Sequence, residues 1–243
     1  MALVNGLYGL FVLPESLPPE RRRPFEWRRA NAVAALRGLA ALKGVGPLVA
    51  VIGLSALAQF MLHMTWVLYT KFKFGWGPAQ VGWSLFAVGV VSAISQGVLL
   101  KPMLARFSPQ RLAIAGLSVG AMTYLGFGLV TQGWMIYVVI VLGLFGGMAG
   151  AVLQSLVSNA ADARTQGQTM GSVSSINSLM AVIAPLIGLE LLRWVAQRPA
   201  GDWLIGLPYY VCAALQLSAA VVAFRFFRSH PELSLRAPGP STP

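Results

Sequence analysis

Six apolar runs, each close to the length needed to cross a membrane, make up most of this chain. They cover approximately residues 47–70, 80–100, 111–131, 134–157, 170–194 and 204–226. The hydrocarbon core of a bilayer is about 30 Å thick, and a helix needs about 20 residues to cross it. The runs therefore predict an all-α polytopic membrane protein with six transmembrane helices.

The composition supports this class and argues against a nucleic-acid partner. The chain is 56% hydrophobic and 10% charged, too apolar for a soluble globular protein. Its net charge of +11 would suit a nucleic-acid binder, but the charges lie in loops between the apolar runs and form no basic face. Membrane topology and anionic lipid explain the charge better. The single cysteine, Cys212, lies in an apolar run and excludes a disulfide framework.

Residues 14–45 form the only long polar segment, here named the connector. It holds seven basic residues against three glutamates, and basic loops beside membrane spans stay in the cytoplasm. Prolines prevent a helix in its first half. Residues 27–43 have the pattern of an amphipathic helix on an anionic leaflet, and a solvated basic linker is the alternative. We expect a cytoplasmic connector.

Following the spans from a cytoplasmic connector places fourteen of the 18 basic residues inside and four outside. This register agrees with the positive-inside rule and puts the C-terminus in the cytoplasm. Residues 228–243 are proline-rich and are expected to be a disordered tail. Residues 1–13 are apolar but too short to span, and they lack a basic n-region for a signal peptide. We interpret them as the inner end of a helix whose beginning is missing.

Small residues recur at helical spacing in two spans. Gly116 and Gly120 form one small-xxx-small pair in the third span, and the fourth span has two overlapping pairs in Gly143, Gly146, Gly147 and Gly150. Such faces let helix backbones approach closely in lipid. They predict tight helix packing, either static or between sliding helices.

Polar residues inside the spans carry most of the functional information, because each is unfavourable in lipid unless it faces a cavity or a partner. Four lie near the middle or inner part of a span, and Gln216 lies in the last span. The four are Gln59, Gln96, Gln154 and Asn177. They predict either a wet substrate cavity or hydrogen-bonded helix contacts. Phe60, Trp66 and Tyr124 are candidates for an aromatic wall of that cavity.

Two titratable residues also lie within spans, both toward the outer side. Histidine is a residue type that can change charge near physiological pH, but we interpret His63 as a structural histidine. Glu190 and Arg193 are three residues apart on one helical face, which favours an interfacial ion pair over a proton relay. No spacing resembles a metal site, a phosphate loop or a nucleophile with its base. We therefore predict no enzymatic activity, no metal and no cofactor.

Several motifs together resemble the tetracycline-resistance (Tet) efflux branch of the major facilitator superfamily. They are Leu13-Pro14-Glu15-Ser16, Arg22-Arg23-Pro24-Phe25, Trp27-Arg28-Arg29-Ala30-Asn31, Leu36-Arg37, Gly133-Trp134-Met135, Leu153-Gln154, Gln166-Gly167-Gln168, Gly171-Ser172 and Pro185-Leu186-Ile187. The resemblance implies the C-terminal half of a twelve-helix transporter: the end of helix 6, a central loop and helices 7–12. It also implies a proton-coupled antiporter of the bacterial inner membrane that exports a drug-like or tetracycline-like molecule and works with an N-terminal six-helix half.

The resemblance also assigns a loop and shows two departures. Lys101, Arg106 and Arg111 match a degenerate cytoplasmic gating loop between the second and third spans. The ninth-helix acid of the Tet exporters falls at Gly120, and the eighth-helix histidine falls at Ser92. The alternative to a transporter half is a truncated or degenerate membrane module that packs with other helices and transports nothing.

Overall fold

The computed structural model describes Tyr8 and residues 46–160, 166–199 and 201–229, and within these residues it contains helices and no strand. Six of the helices are long and apolar enough to cross a membrane, which confirms the predicted fold class. We number them α1 (Gly46–Phe74), α2 (Pro78–Arg106), α3 (Pro109–Leu129), α4 (Gly133–Ser158), α5 (Gln166–Val195) and α6 (Trp203–Ser229).

Three of the sequence predictions lie outside the described residues. They are the half-span at residues 1–13 apart from Tyr8, the connector at 14–45, and residues 230–243 of the tail predicted at 228–243. Residues 228 and 229 are the last two of α6. The described helices alternate in direction along the chain. We therefore refer to the two ends of the bundle as the Gly46 end and the Phe74 end, after the first and last residues of α1.

Local sequence signals explain where the helices begin and end. Ser108 caps α3, because its side chain accepts from the backbone N–H of Arg111 at 3.5 Å, and Pro109 fixes φ in the first turn. Gly75 has a φ of 67° just after α1. Gly201 has a φ of 93° before α6. Glycine adopts this left-handed region without a Cβ penalty, so the chain can reverse at both points.

The bundle is built around α1, α3 and α6. The most extensive contacts pair α6 with α3, α6 with α1, and α1 with α5, and α4 packs on α3. The outlying helix is α2, because only 11% of its most apolar window is buried, against 22–44% for the other five. Much of α2 is therefore available to lipid or to a partner.

Two hydrophobic cores lie one above the other in the bundle. The core at the Gly46 end is aliphatic and rich in small residues, including Val51, Leu117 and Ala219. The core at the Phe74 end is aromatic, and Tyr69 and Tyr209 at its centre stack edge to face with ring centroids 4.3 Å apart. The two ends of the bundle therefore differ in how they are packed.

Two helices interrupt their regular geometry near the middle of the bundle. In α2, residues Ile94–Leu99 form a π-helical turn. In α4, residues Gly143–Phe145 form a 3₁₀ turn, and the α-helix resumes at Met148. Both irregular segments fall within the spans, where backbone groups have no water to bond with.

Candidate functional site

Gln59, midway along α1, is an exposed polar residue that is hydrogen-bonded to a buried tyrosine of α3. The Tyr124 hydroxyl on α3 donates to Gln59 Oε1 at 3.1 Å, and Tyr124 is only 6% exposed. A buried phenol needs an acceptor for its proton, and the Gln59 oxygen supplies it. The amide oxygen of Gln59 therefore points toward α3. The N–H groups of the same amide point to the exposed face of α1, here named the open face.

His63 extends this polar strip by one helical turn. Its Nε2 lies 3.5 Å from Gln59 Nε2, and both side chains are exposed. A neutral imidazole with its proton on Nδ1 can accept at Nε2, so the two side chains are compatible neighbours. Tyr124, Gln59 and His63 thus connect the interior of α3 with the open surface of α1.

The other three predicted cavity residues lie on three further helices. Gln96 on α2 and Gln154 on α4 are exposed, and Asn177 on α5 is half-buried. At 1.5 Å per residue, Gln59, Gln96 and Asn177 lie about 15–20 Å from the helix ends at the Gly46 end. Gln154 lies nearer that end. The structure therefore places three amides at similar depth on separate helices.

The predicted aromatic residues lie deeper than the amides. Phe60 is half-buried against the aromatic core. Trp66 is 4% exposed, and its Nε1 donates to Ser84 Oγ on α2 at 3.0 Å. It also packs edge-on against Phe127, with ring centroids 5.1 Å apart. Trp66 therefore lies in the interior at the contact between α1 and α2, and Tyr124 lies behind Gln59.

The charged residues that the sequence singled out lie at the helix ends. Lys101 and Arg106 in the last turns of α2 and Arg111 in the first turn of α3 are all exposed. Glu190 and Arg193, near the end of α5, form an exposed ion pair at 3.8 Å. Such exposed pairs contribute little to stability.

A cluster at the Phe74 end was missed by sequence reasoning, and we name it the α3 end clamp. Lys73 Nζ hydrogen-bonds to the Gly128 carbonyl and, at 2.9 Å, to Tyr69 Oη. Tyr69 Oη donates to the Phe127 carbonyl at 2.6 Å, and Tyr210 Oη lies 3.1 Å from the Gly128 carbonyl. The last carbonyls of a helix lack partners within the helix. Side chains of α1 and α6 supply them here.

One sequence feature could have indicated this clamp. Tyr69 and Lys73 are four residues apart at the end of an apolar run, so they share a helical face. Nothing in the sequence, however, identifies the α3 carbonyls as their partners, because those lie more than 50 residues away along the chain.

Gln216 of α6 lies in the interior near Gly120 of α3. It is 6% exposed, and within the described part of the chain its Oε1 has no hydrogen-bond partner. A Cβ added at Gly120 would stand 3.0 Å from Gln216 Nε2. The amide of Gln216 therefore fills the space that faces Gly120. This is the position at which the resemblance to the Tet exporters places a ninth-helix acid.

The predicted small-residue faces of α3 and α4 meet in the structure. A Cβ at Gly116 would stand 3.0 Å from Ala149 Cβ, and one at Gly146 would stand 3.2 Å from Gly120 Cα. Close backbone approach is therefore observed where the spacing predicted it. In the ranges that the structure describes, no group of three or more His, Cys, Asp or Glu side chains could hold a metal ion.

Comparison with known proteins agrees with this architecture. Residues 1–242 match the Major Facilitator Superfamily. The tetracycline resistance protein of class C from Escherichia coli is 30% identical over 214 residues, which cover 86% of this chain and 54% of that protein. The class D protein from Salmonella ordonez is 34% identical over 164 residues, covering 65% of this chain and 42% of the relative.

A third relative extends the pattern. The class G protein from Vibrio anguillarum is 31% identical over 196 residues, covering 80% of this chain and 48% of that protein. The chain thus spans about half the length of the curated relatives it matches. With six spanning helices and a family match along nearly its whole length, this chain is a multi-pass membrane protein that belongs to the Major Facilitator Superfamily, and several of its relatives are tetracycline resistance proteins.

Proposed function

We propose that the chain is the C-terminal, six-helix half of a secondary transporter that exports a drug-like, tetracycline-like molecule from a bacterium in exchange for protons. One observation carries this proposal. Amide side chains on separate helices, two of them exposed and one half-buried, stand at similar depth in a bundle related to tetracycline resistance proteins. Such groups are unfavourable in lipid unless a wet cavity or a partner covers them.

In this proposal, Gln59, Gln96, Gln154 and Asn177 line the substrate path. Gln59 is the best supported, because Tyr124 fixes its amide with the N–H groups toward the open face. Phe60 supplies apolar surface beside it, and Trp66 supports the wall from the interior. A pocket of this kind combines apolar walls with a few oriented polar groups.

The partner in this proposal is an N-terminal six-helix half that covers the open face. Alternating access in such transporters requires two repeats to rock about a shared site near the midplane. This chain covers only about half of the length of its relatives, and this supports the need for a partner half.

Lys101, Arg106 and Arg111 would form the gating loop on the cytoplasmic side. The basic connector would bind anionic lipid there, and the C-terminus would lie on the same side.

Proton coupling would depend on acids of the partner half. The structure has Gly120 opposite Gln216, so an amide stands where a titratable group would be needed. His63 and the exposed Glu190–Arg193 pair lie toward the Phe74 end. We therefore expect His63→Ala and Glu190→Gln to lower transport only modestly.

The test is drug uptake into inverted vesicles that carry this chain together with the N-terminal half of the class C relative. Gln59→Ala and Gln96→Ala should lower pH-gradient-driven tetracycline uptake by about fivefold or more, a loss of about 1 kcal/mol of binding. Gln132→Ala is the matched control, because Gln132 is an exposed glutamine in the loop before α4. Expression must be equal in all variants.

Two outcomes would contradict the proposal. If uptake is unchanged in the alanine variants of all four amide residues, these residues serve as helix contacts and do not line a cavity. Uptake against a gradient by vesicles that hold only this chain would show that it needs no partner half.

The alternative, a membrane module that transports nothing, is favoured by the amide at the Gly120–Gln216 contact, where the resemblance expects an acid. The two functions differ in ligand binding. A transporter half reconstituted with its partner should bind tetracycline, with competition by unlabelled drug. A packing module should assemble with the partner and bind none.

A further inference from the structure

The π turn of α2 and the 3₁₀ turn of α4, the two irregular segments near the middle of the bundle, meet at one contact. Ser95 lies in the π turn of α2, is 0% exposed, and donates its hydroxyl proton to the carbonyl of Leu144 at 2.6 Å. Leu144 lies in the 3₁₀ turn of α4. A π turn and a 3₁₀ turn are each local departures from helical geometry that often mark functional positions. Here a buried hydrogen bond joins them.

The backbone of α4 is tightly wound around Leu144 and in the turn that follows it. The N–H of Gly146 bonds to the carbonyl of Gly143 at 2.8 Å, and the N–H of Ala149 bonds to that of Gly146 at 3.3 Å. These are bonds over three residues, so this stretch departs from the α-helical ladder. A side-chain donor from α2 therefore enters α4 at the place where its own ladder is altered.

Glycines allow the helices to meet so closely. A Cβ at Gly147 would stand 3.2 Å from Ser95 Oγ, and one at Gly146 would stand 3.2 Å from the Cα of Gly120. By contrast, a Cβ at Gly150, one turn further along α4, would meet no atom of the described residues within 4 Å. The irregular segment is thus closely packed against its neighbours, whereas Gly150 is not.

We propose that the π turn of α2 and the 3₁₀ turn of α4 form one bending joint, in which the Ser95 hydroxyl is the latch that couples the two bends. A change in one turn moves the carbonyl or the hydroxyl that the other turn depends on. Packed elements of this kind shift between discrete arrangements and do not deform smoothly. Gln96, the next residue of the π turn, is exposed, so bending at the joint changes where this amide points.

A second buried serine on α2 provides a matched control. Ser84 is also 0% exposed and also has an interhelical hydrogen bond, which it accepts from Trp66 of α1. It lies in the regular part of α2, away from the π turn. Ser95→Ala and Ser84→Ala therefore remove the same group from the same helix, but only the first acts on the joint.

The experiment measures distances between spin labels in the chain reconstituted in lipid nanodiscs, with buried Cys212 replaced by alanine. One label pair joins exposed Ala105, beyond the π turn of α2, to exposed Ser218 of α6. A second pair joins exposed Ser155, beyond the 3₁₀ turn of α4, to the same reference position. Each pair thus reports one side of the joint.

The expected result is a change across the joint. Ser95→Ala, a substitution in α2, should shift or broaden the α4 distance by about 2 Å, the size of typical helix shifts. Gly147→Ala, a substitution in α4, should change the α2 distance. Ser95→Thr keeps the donor and should restore the parent distances, whereas Ser84→Ala and Gly150→Ala should leave the α4 distance unchanged.

Other results would overturn the proposal. If each substitution alters only its own helix, the two bends are independent. If Ser84→Ala changes the α4 distance as much as Ser95→Ala, the effect is a general loosening of α2. Should the variants fail to fold, hydrogen exchange on the parent chain decides: amides 144–149 must exchange faster than those of the regular helix at residues 112–117, and equal protection would contradict a joint. None of these measurements depends on transport.

Discussion

Gly206→Ala tests the closest helix contact at the Phe74 end. Gly206 ends the 3₁₀ turn that begins α6, and it faces Gly128 near the end of α3. A Cβ on Gly206 would stand 2.5 Å from the Gly128 carbonyl oxygen and 2.8 Å from its Cα. Both are backbone atoms, so no side chain can rotate to make room.

The size of the effect follows from these distances. Ordinary contact begins at 3.4 Å, so the start of α6 must move from α3 by about 0.9 Å. This movement would also stretch the 3.1 Å contact between Tyr210 Oη and the Gly128 carbonyl beyond hydrogen-bond range. Overpacking costs about 1–3 kcal/mol and the hydrogen bond about 1 kcal/mol. We expect a loss of about 2–4 kcal/mol in the free energy of unfolding.

The assay is unfolding by sodium dodecyl sulfate in mixed micelles, followed by circular dichroism. The control is Gly82→Ala in α2, because in the part of the chain that the structure describes a Cβ at Gly82 would meet no atom within 4 Å. The control should change the free energy of unfolding by no more than about 1 kcal/mol, the glycine-to-alanine difference in a helix. Equal stability of the two variants would refute the reasoning, because the α3–α6 contact would then have room for a methyl group.

Three further predictions follow from the contacts of α1 and from the topology. Lys73→Met should lower the free energy of unfolding by about 1.5–3 kcal/mol in the same titration, because the carbonyl that ends α3 loses a charged donor; no loss would mean that water replaces the lysine. Trp66→Phe keeps an aromatic ring but removes the donor to Ser84, so it should speed hydrogen exchange in α2 while leaving exchange in α6 unchanged. In intact cells, an impermeant thiol reagent should label a cysteine at Thr131 but not one at Ser108, and the reverse pattern would invert the proposed topology.

The six helices were predictable because a membrane span requires a long apolar run. The first run, at about 47–70, lies within α1, which continues to Phe74. The helix extends further because Lys71 and Lys73 can keep their charges at the membrane boundary while their stems stay in the helix. The π turn at Ile94–Leu99 was not predicted, although Pro102 is a local signal for it. A proline inside a helix cannot bond to the carbonyl four residues earlier, here that of Val98, and it disturbs the helical geometry at that point.

The candidate site was only partly predictable. Polar residues within spans can be found from the sequence, because each is conspicuous in an apolar run. The surroundings of these residues cannot be found in this way. Tyr124 and Gln59 are 65 residues apart in the chain, and only the packing of α3 on α1 joins them. For the same reason, sequence reasoning could not tell that Trp66 is interior while Gln96 is exposed.

The Phe74 end and the middle of the bundle are held by different kinds of interaction, and this difference has a mechanical consequence. At the Phe74 end, the hydroxyl of Tyr69 and the ammonium of Lys73 bond to the carbonyls of α3, and these bonds have narrow geometric limits. In the middle, Gly120 and Gly146 meet through backbone surfaces without side chains to interlock. Dispersion contacts of this kind are weak individually and tolerate small shifts better than directional hydrogen bonds do. Deformation of the bundle should therefore concentrate at the middle, next to Gln96, while the Phe74 end moves as a rigid unit.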